Sequence, residues 1–362
     1  MRQWRSSVTA ALAVVAVTAS TPGSAAAFGT IASGGQNREH ERITRAALAC
    51  AADPASDTDC FEPKTLDLLA GYGREFGAVG APDRDELSLP AAHCDNADFL
   101  AGEYPRARDE ATGAVVECVD QLRLRFREAV ESAGALLDGD GDVRPDQVDL
   151  AAPCNFTDAG DARAKCSVVE ALGRVLHGAQ DFYAHSNWAD APDPTRPVGV
   201  DNPPGMNLPG PSSVLELRSS AAPIIPPELT GGCFAPRDQV PGVGECEGRI
   251  THAGLNKDRG LIDPVSGSAT QPTTPRGMVG DNFSKAVTGA IAESRRQWED
   301  LRSELRERYG AERAQTMVCS LTHDDPSGDC QGRPWTTVVV LTVAIAIVVA
   351  VAVLLILRRR RR

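Results

Sequence analysis

The ten cysteines fall in five close pairs along the chain, at positions 50 and 60, 94 and 118, 154 and 166, 233 and 246, and 319 and 330. No other feature restricts the fold as much. If neighbours pair, each bridge staples one local segment, and nearest-neighbour pairing is the expectation, although ten cysteines allow nine times the 105 connectivities open to eight. Cysteine used in this way implies an oxidising compartment. The absence of any CxxC speaks against zinc held by thiolates. With 362 residues, 42% of them hydrophobic, the chain is long enough for one large domain or two ordinary ones and can bury a substantial core.

The two ends agree with that compartment. Arg2 and Arg5, the apolar stretch Ala10 to Val17 and the AxA pattern of Ala25 and Ala27 describe a signal peptide over residues 1–27, with cleavage leaving Phe28 as the first mature residue. At the other end, Val338 to Leu357 are twenty residues with no charge, followed directly by Arg358 to Arg362. At about 1.5 Å per residue this run matches the roughly 30 Å of a hydrocarbon core. A transmembrane helix is therefore expected over 335–357, with a cytoplasmic basic tail at 358–362 by the positive-inside rule. The extracytoplasmic domain would span 28–320 and a membrane-proximal segment 321–334, giving a single-pass protein of the cell membrane with its mass outside.

Lys and Arg number 37 against 49 Asp and Glu, and with the terminal Arg clusters set aside 30 bases remain against the same 49 acids. So acidic a body lacks the basic footprint that duplex binding needs, and no nucleic-acid duplex is expected as a partner.

Apolar spacing predicts short helices over Asn37 to Cys50 and Thr65 to Ala70, and long ones over Glu117 to Leu137 and Phe283 to Tyr309. Cys166 to Trp188 reads as a further helix, opened by a capping box at Ser167 and Glu170. Between Asp190 and Glu245 lie twelve of the 25 prolines, which exclude helix over most of that stretch. It reads either as a linker between domains or, as we favour, as a long loop covering a site.

The six histidines carry the chemistry. His177, Asp181 and His185 are spaced four and four, about 40° apart per step on a helix, so all three leave one face. Imidazole and carboxylate donors in such a row suit zinc, and the central carboxylate can bridge two ions. His40, His93 with Asp95, and His252 with Asp258 lie in similar company. His323 stands apart, in the membrane-proximal segment.

The segment LGRVLHGAQDFYAHSNW, together with GAVGAPD, the HxD of His93 and Asp95, and THAGLNKD, resembles the secreted bacterial CinY-like family. It is also similar to the fungal HET-C heterokaryon-incompatibility proteins and to the N-terminal part of the von Willebrand factor A domain-containing 7 proteins. More distantly, the arrangement from Phe28 to Tyr309 resembles the zinc-dependent phospholipase C and P1 nuclease fold. That resemblance implies a mainly α protein, a helical bundle around two or three zinc ions, hydrolysing phosphate esters. It further implies metal ligation by the amine and carbonyl of Phe28 and by His40, Asp83, His93, His177, Asp181, His185, His252 and Asp258. Asp85 rivals Asp83 as the acid paired with His93, and His185 follows Asp181 more closely than in the family. Asn256 stands where the family's HxxxE motif has Glu, which puts the third metal in question. Asp83 or Asp95 is the candidate general base.

Two weaker signals remain. Asp138, Asp140 and Asp142 open a calcium-loop-like DGDGDVRPDQVD, although Val143 takes the position where the loop needs Gly. Asn155 and Asn282 begin glycosylation sequons. The expected function is a membrane-anchored, extracytoplasmic, metal-dependent hydrolase of phosphate esters, phospholipid-like or nucleotide-like. The alternative is an inactive recognition or structural module with the same fold.

Overall fold

The computed structural model describes residues 28–50, 59–157, 161–234 and 246–330. The expected signal peptide, transmembrane helix and basic tail lie outside the described residues, as do 331–334 of the membrane-proximal segment and 235–245 of the proline-rich stretch. No helix among the described residues is long and apolar enough to cross a membrane.

The described chain is mainly helical. In order come α1 (Glu39–Leu48), α2 (Pro63–Ala70), the short α3 (Pro82–Asp85), α4 (Arg108–Ala133), the short α5 (Pro145–Val148), α6 (Ala164–His185), the short α7 (His252–Leu255), α8 (Asn282–Tyr309), α9 (Ala311–Thr322) and α10 (Pro326–Asp329). One antiparallel hairpin pairs β1 (Leu261–Ile262) with β2 (Ala269–Thr270).

Helix α6 is the axis of the bundle. All of its residues except Ser167 and Glu170 are buried, because α4 and α8 flank it and α1, α2 and α9 close the remaining sides. A helix enclosed all round has no solvated polar face, so its polar side chains must find partners within the protein. Helix α4 meets it through Val115, Val119, Leu122, Phe126 and Val130, an apolar stripe at helical spacing. Two glycines let other chain segments lie directly against α6. A Cβ on Gly173 would stand 2.4 Å from the Ala78 Cβ, and one on Gly178 2.6 Å from the Ala92 carbonyl oxygen. Those two approaches bring the segments bearing Asp83 and His93 onto the helix.

The predicted helices are all present, with shifted ends. Helix α4 starts at Arg108, nine residues before the expected Glu117. The capping box expected at Ser167 and Glu170 does not form. Helix α6 begins at Ala164, and the Ser167 hydroxyl lies inside its first turn, donating to the carbonyls of Asp161 (2.9 Å) and Arg163 (3.2 Å). Glu170 instead pairs with Arg174 at 2.9 Å. The start of α6 is set by a clamp that spacing does not reveal. Asp161 accepts from the backbone and guanidinium of Arg163, and that guanidinium also donates to the carbonyls of Asp149, Ala152 and Pro153. The helix ends at His185, not Trp188, where the chain turns extended and Ser186 bridges to Gly231.

Neighbouring cysteines pair, Cys50 with Cys60, Cys94 with Cys118, Cys154 with Cys166, Cys233 with Cys246 and Cys319 with Cys330. The described part of the proline-rich stretch is bound along its length to the bundle. Trp188 donates to the Pro209 carbonyl, Ser212 donates its amide to Glu293 of α8, and Arg276 holds Asp190 together with the Pro203 and Pro204 carbonyls.

Candidate metal centre

Asp181, fully buried near the end of α6, faces imidazoles with both of its oxygens. Its Oδ1 is 3.2 Å from His40 Nε2 of α1, and its Oδ2 is 3.0 Å from His177 Nε2 and 3.0 Å from His93 Nδ1. Asp83, at the start of α3, places Oδ1 3.8 Å from His177 Nε2, while its Oδ2 accepts from the Thr30 hydroxyl. Two groups result, His40 with His177 and Asp181, and Asp83 with His93 and His177, each with donor atoms within 4.8 Å of one another. His177 belongs to both, and Asp181 lies between them.

The far nitrogen of each imidazole is already committed. His40 Nδ1 lies 2.7 Å from Gln180 Oε1, His177 Nδ1 2.8 Å from the Val79 carbonyl, and His93 Nε2 3.3 Å from the Glu86 carbonyl. Each of these oxygens accepts only, so each ring carries a proton on its outer nitrogen, and wherever a cation replaces the proton on the inner nitrogen the ring turns a lone pair inward. Three inward lone pairs and a carboxylate at about 3 Å repel one another unless positive charge sits among them. Apart from each other, His40 Nε2 and Asp181 Oδ1 are buried atoms with no hydrogen-bond partner, as is Asp83 Oδ1.

Ionisation reports the same demand. Burial alone would raise Asp181 and lower His40 and His93. Mutual attraction wins, holding Asp181 well below the usual carboxylate range, raising His40, and lifting His93 to about 9. Without another cation, protons fill the site.

A third group lies one helical turn further along α6. Asp95 Oδ1 is 3.2 Å from His185 Nδ1 and 3.1 Å from His252 Nδ1, and the two rings pack with centroids 3.8 Å apart. Burial would raise Asp95, but His252 and His185 outweigh it and hold the carboxyl at about 2. Burial, with the neighbouring His252, depresses His185 to about 4, and its Nε2 has no hydrogen-bond partner.

Among the residues proposed from sequence, His40, Asp83, His93, His177, Asp181, His185 and His252 all fall in these groups, joined by Asp95. The Phe28 ring is buried edge-on against His40, with centroids 5.9 Å apart. Asp85 is excluded as the alternative to Asp83, because its carboxylate pairs with Arg174 at 2.8 and 2.9 Å. Asp258 stands outside the three groups. Its Oδ2 accepts from Asn256, and burial raises it to about 7. Asp138, Asp140 and Asp142 belong to no such group, and the Asp138 carboxylate accepts from the Asp140 and Asp142 amides. The Asn282 side chain is buried and bound to the Ala191 and Arg276 carbonyls, which removes it as a glycosylation acceptor, whereas Asn155 is exposed. Two further clusters contain Cys319 with Cys330 and Cys154 with Cys166, whose disulfides leave no thiolate to donate.

Sequence reasoning missed the residues that aim the ligands. Thr30 and Glu86 lie outside the quoted motifs, and although Gln180 and Val79 lie inside them, nothing in the sequence gives either a role. Arg174 fixes α3 and its flank by pairing with Asp85 and Glu86, and nothing in its spacing marks it. Comparison with known protein families, with characterised proteins and with solved structures returns no match.

Proposed function

We propose that this chain is an extracytoplasmic metal-dependent hydrolase of phosphate esters, with the zinc-dependent phospholipase C and P1 nuclease type of bundle, anchored by its apolar C-terminal segment in the cell membrane. The observation that carries the reading is Asp181, a buried carboxylate with imidazole nitrogens about 3 Å from both oxygens. One cation would be held by His40 and Asp181, joined by the amine of Phe28 if cleavage falls before it, and one by Asp83, His93 and Asp181, with the single inward lone pair of His177 serving one of the two. A third would be held by Asp95, His185 and His252. Nitrogen and carboxylate donors of this kind favour zinc. When bound, such ions supply positive charge to phosphoryl oxygens and lower the pKa of bound water to about 7. The chain's own residues hold the donors and keep water from the buried side of His40 and His177, while Asp83 is only partly exposed and its Oδ1 is buried. Asp95 is assigned to the third cation rather than to proton transfer, since a carboxyl held near 2 is a poor base at neutral pH.

The donor set also fits a second reading, a metal-binding recognition module without turnover. Burial favours it, since His40, His177 and Asp181 are fully enclosed. Metal content by mass spectrometry, followed by hydrolysis of a generic phosphodiester with and without chelator, decides between the two. Chelator-sensitive turnover supports the hydrolase. Stoichiometric metal without turnover supports the module, and a chain purified and reconstituted without bound metal overturns both. Asp181→Asn should lose the bridged cations, and full metal content in that variant would remove the bridging role.

A further inference from the structure

Gln180 precedes Asp181 on α6 and is wholly buried between α1 and α8. Its Nε2 donates to the Thr44 hydroxyl of α1 at 3.0 Å and to the Ser294 hydroxyl of α8 at 3.1 Å. Ser294 spends its own hydrogen on the Ala290 carbonyl at 2.8 Å, so towards Gln180 it can only accept. The amide therefore cannot flip without setting a carbonyl oxygen against the Ser294 lone pairs. This locks Oε1 towards His40 Nδ1 at 2.7 Å, and an oxygen there demands Nδ1–H on the ring. The remaining lone pair, on Nε2, then points at Asp181 Oδ1, 3.2 Å away.

We propose that Gln180 is a positioning residue that fixes the tautomer and plane of His40 and so sets the affinity of the cation held between His40 and Asp181. The inference rests on the metal-binding reading above and deepens it. It singles out Gln180 because His177 and His93 are aimed by main-chain carbonyls, so among these acceptors only Gln180 can be changed by substitution. An acceptor on the outer nitrogen also makes the ring a stronger donor, and loss of such a partner typically weakens a metal site 10- to 100-fold.

The test uses the chain with its metals removed, titrated with zinc against a chromophoric chelator and with cobalt(II) followed by its visible absorption. Gln180→Met keeps length and apolar packing but removes the acceptor. It should weaken one class of site by about 10- to 100-fold and alter the corresponding cobalt bands, leaving the other sites unchanged. Gln180→Glu restores an acceptor towards His40, and with Ser294→Ala removing the lone pairs that its second oxygen would meet, the double variant should bind at least as tightly as Ser294→Ala alone. Unchanged affinity and spectrum in a folded Gln180→Met variant overturn the proposal. If Gln180→Met does not fold, weaker binding by the Gln180→Glu, Ser294→Ala double variant than by Ser294→Ala alone overturns it. A wild-type chain that takes up no zinc or cobalt brings down the metal reading itself, an outcome distinct from either.

Discussion

Lys165, at the start of α6, shows how single residues are governed by burial. Its ammonium is enclosed, donating to Thr65 Oγ1 at 3.1 Å and to the His323 carbonyl at 2.6 Å, and burial lowers it to about 8 despite the charges of Asp324 and Glu62. A base depressed in the fold is charged at a cost below about pH 8. Between there and its ordinary 10.5 the unfolded chain binds the extra proton, so stability rises with pH. Relative to Lys165→Met, the wild type should gain up to ~3 kcal/mol across that window, measured by urea unfolding at several pH values. A difference that does not change with pH would contradict the assignment. At the same scale, Asp95→Asn should lose the cation of the third group while the bridged pair persists, a change read directly in metal stoichiometry. In sequence Asp95 read as an acid beside His93 and as a candidate general base. That it serves His185 and His252 instead depends on where α7 comes to rest.

Helix α6 holds the row of donors that sequence spacing foretold, and its two glycines hold the segments that supply the others. Gly173→Ala would drive a methyl into Ala78 and the Val79 amide, displacing the carbonyl on which His177 Nδ1 depends. Overpacking of that kind typically costs about 1–3 kcal/mol. The variant should therefore show both a lower denaturation midpoint and weaker zinc binding, whereas a stability loss with metal affinity intact would mean that the segment shifts without carrying the carbonyl away. The existence of α1, α2, α4, α6 and α8 was readable because a helix packed on a core shows its period in its apolar residues. Their ends were not. Helix α6 starts where Arg163 gathers three carbonyls from a loop ahead of it, and no local pattern encodes that contact.

For the whole molecule, three clusters of like-oriented donors inside one bundle are a destabilising arrangement unless cations fill them. Metal that binds the native but not the unfolded state stabilises by mass action, by ~2.7 kcal/mol at a hundredfold excess over Kd. Removing metal should therefore lower the melting temperature, and restoring zinc should recover it. No change on chelation would leave protons as the only counter-charge in the centre. The five bridges each join cysteines 10 to 24 residues apart and so staple local segments, whereas the core contacts of α6 with α4 and α8 join distant parts of the chain.

Local chemistry was decided by the amino-acid order alone. It set the neighbouring cysteine pairs, the major helices and the one-face row of His177, Asp181 and His185, because loop length and helical period act over a few residues. Convergence belongs to the tertiary structure. Asp83 rather than Asp85 faces His177, Asp95 rather than Asp258 completes the third group, and Gln180 turns His40, because each outcome depends on which segment a buried helix allows within 3 or 4 Å.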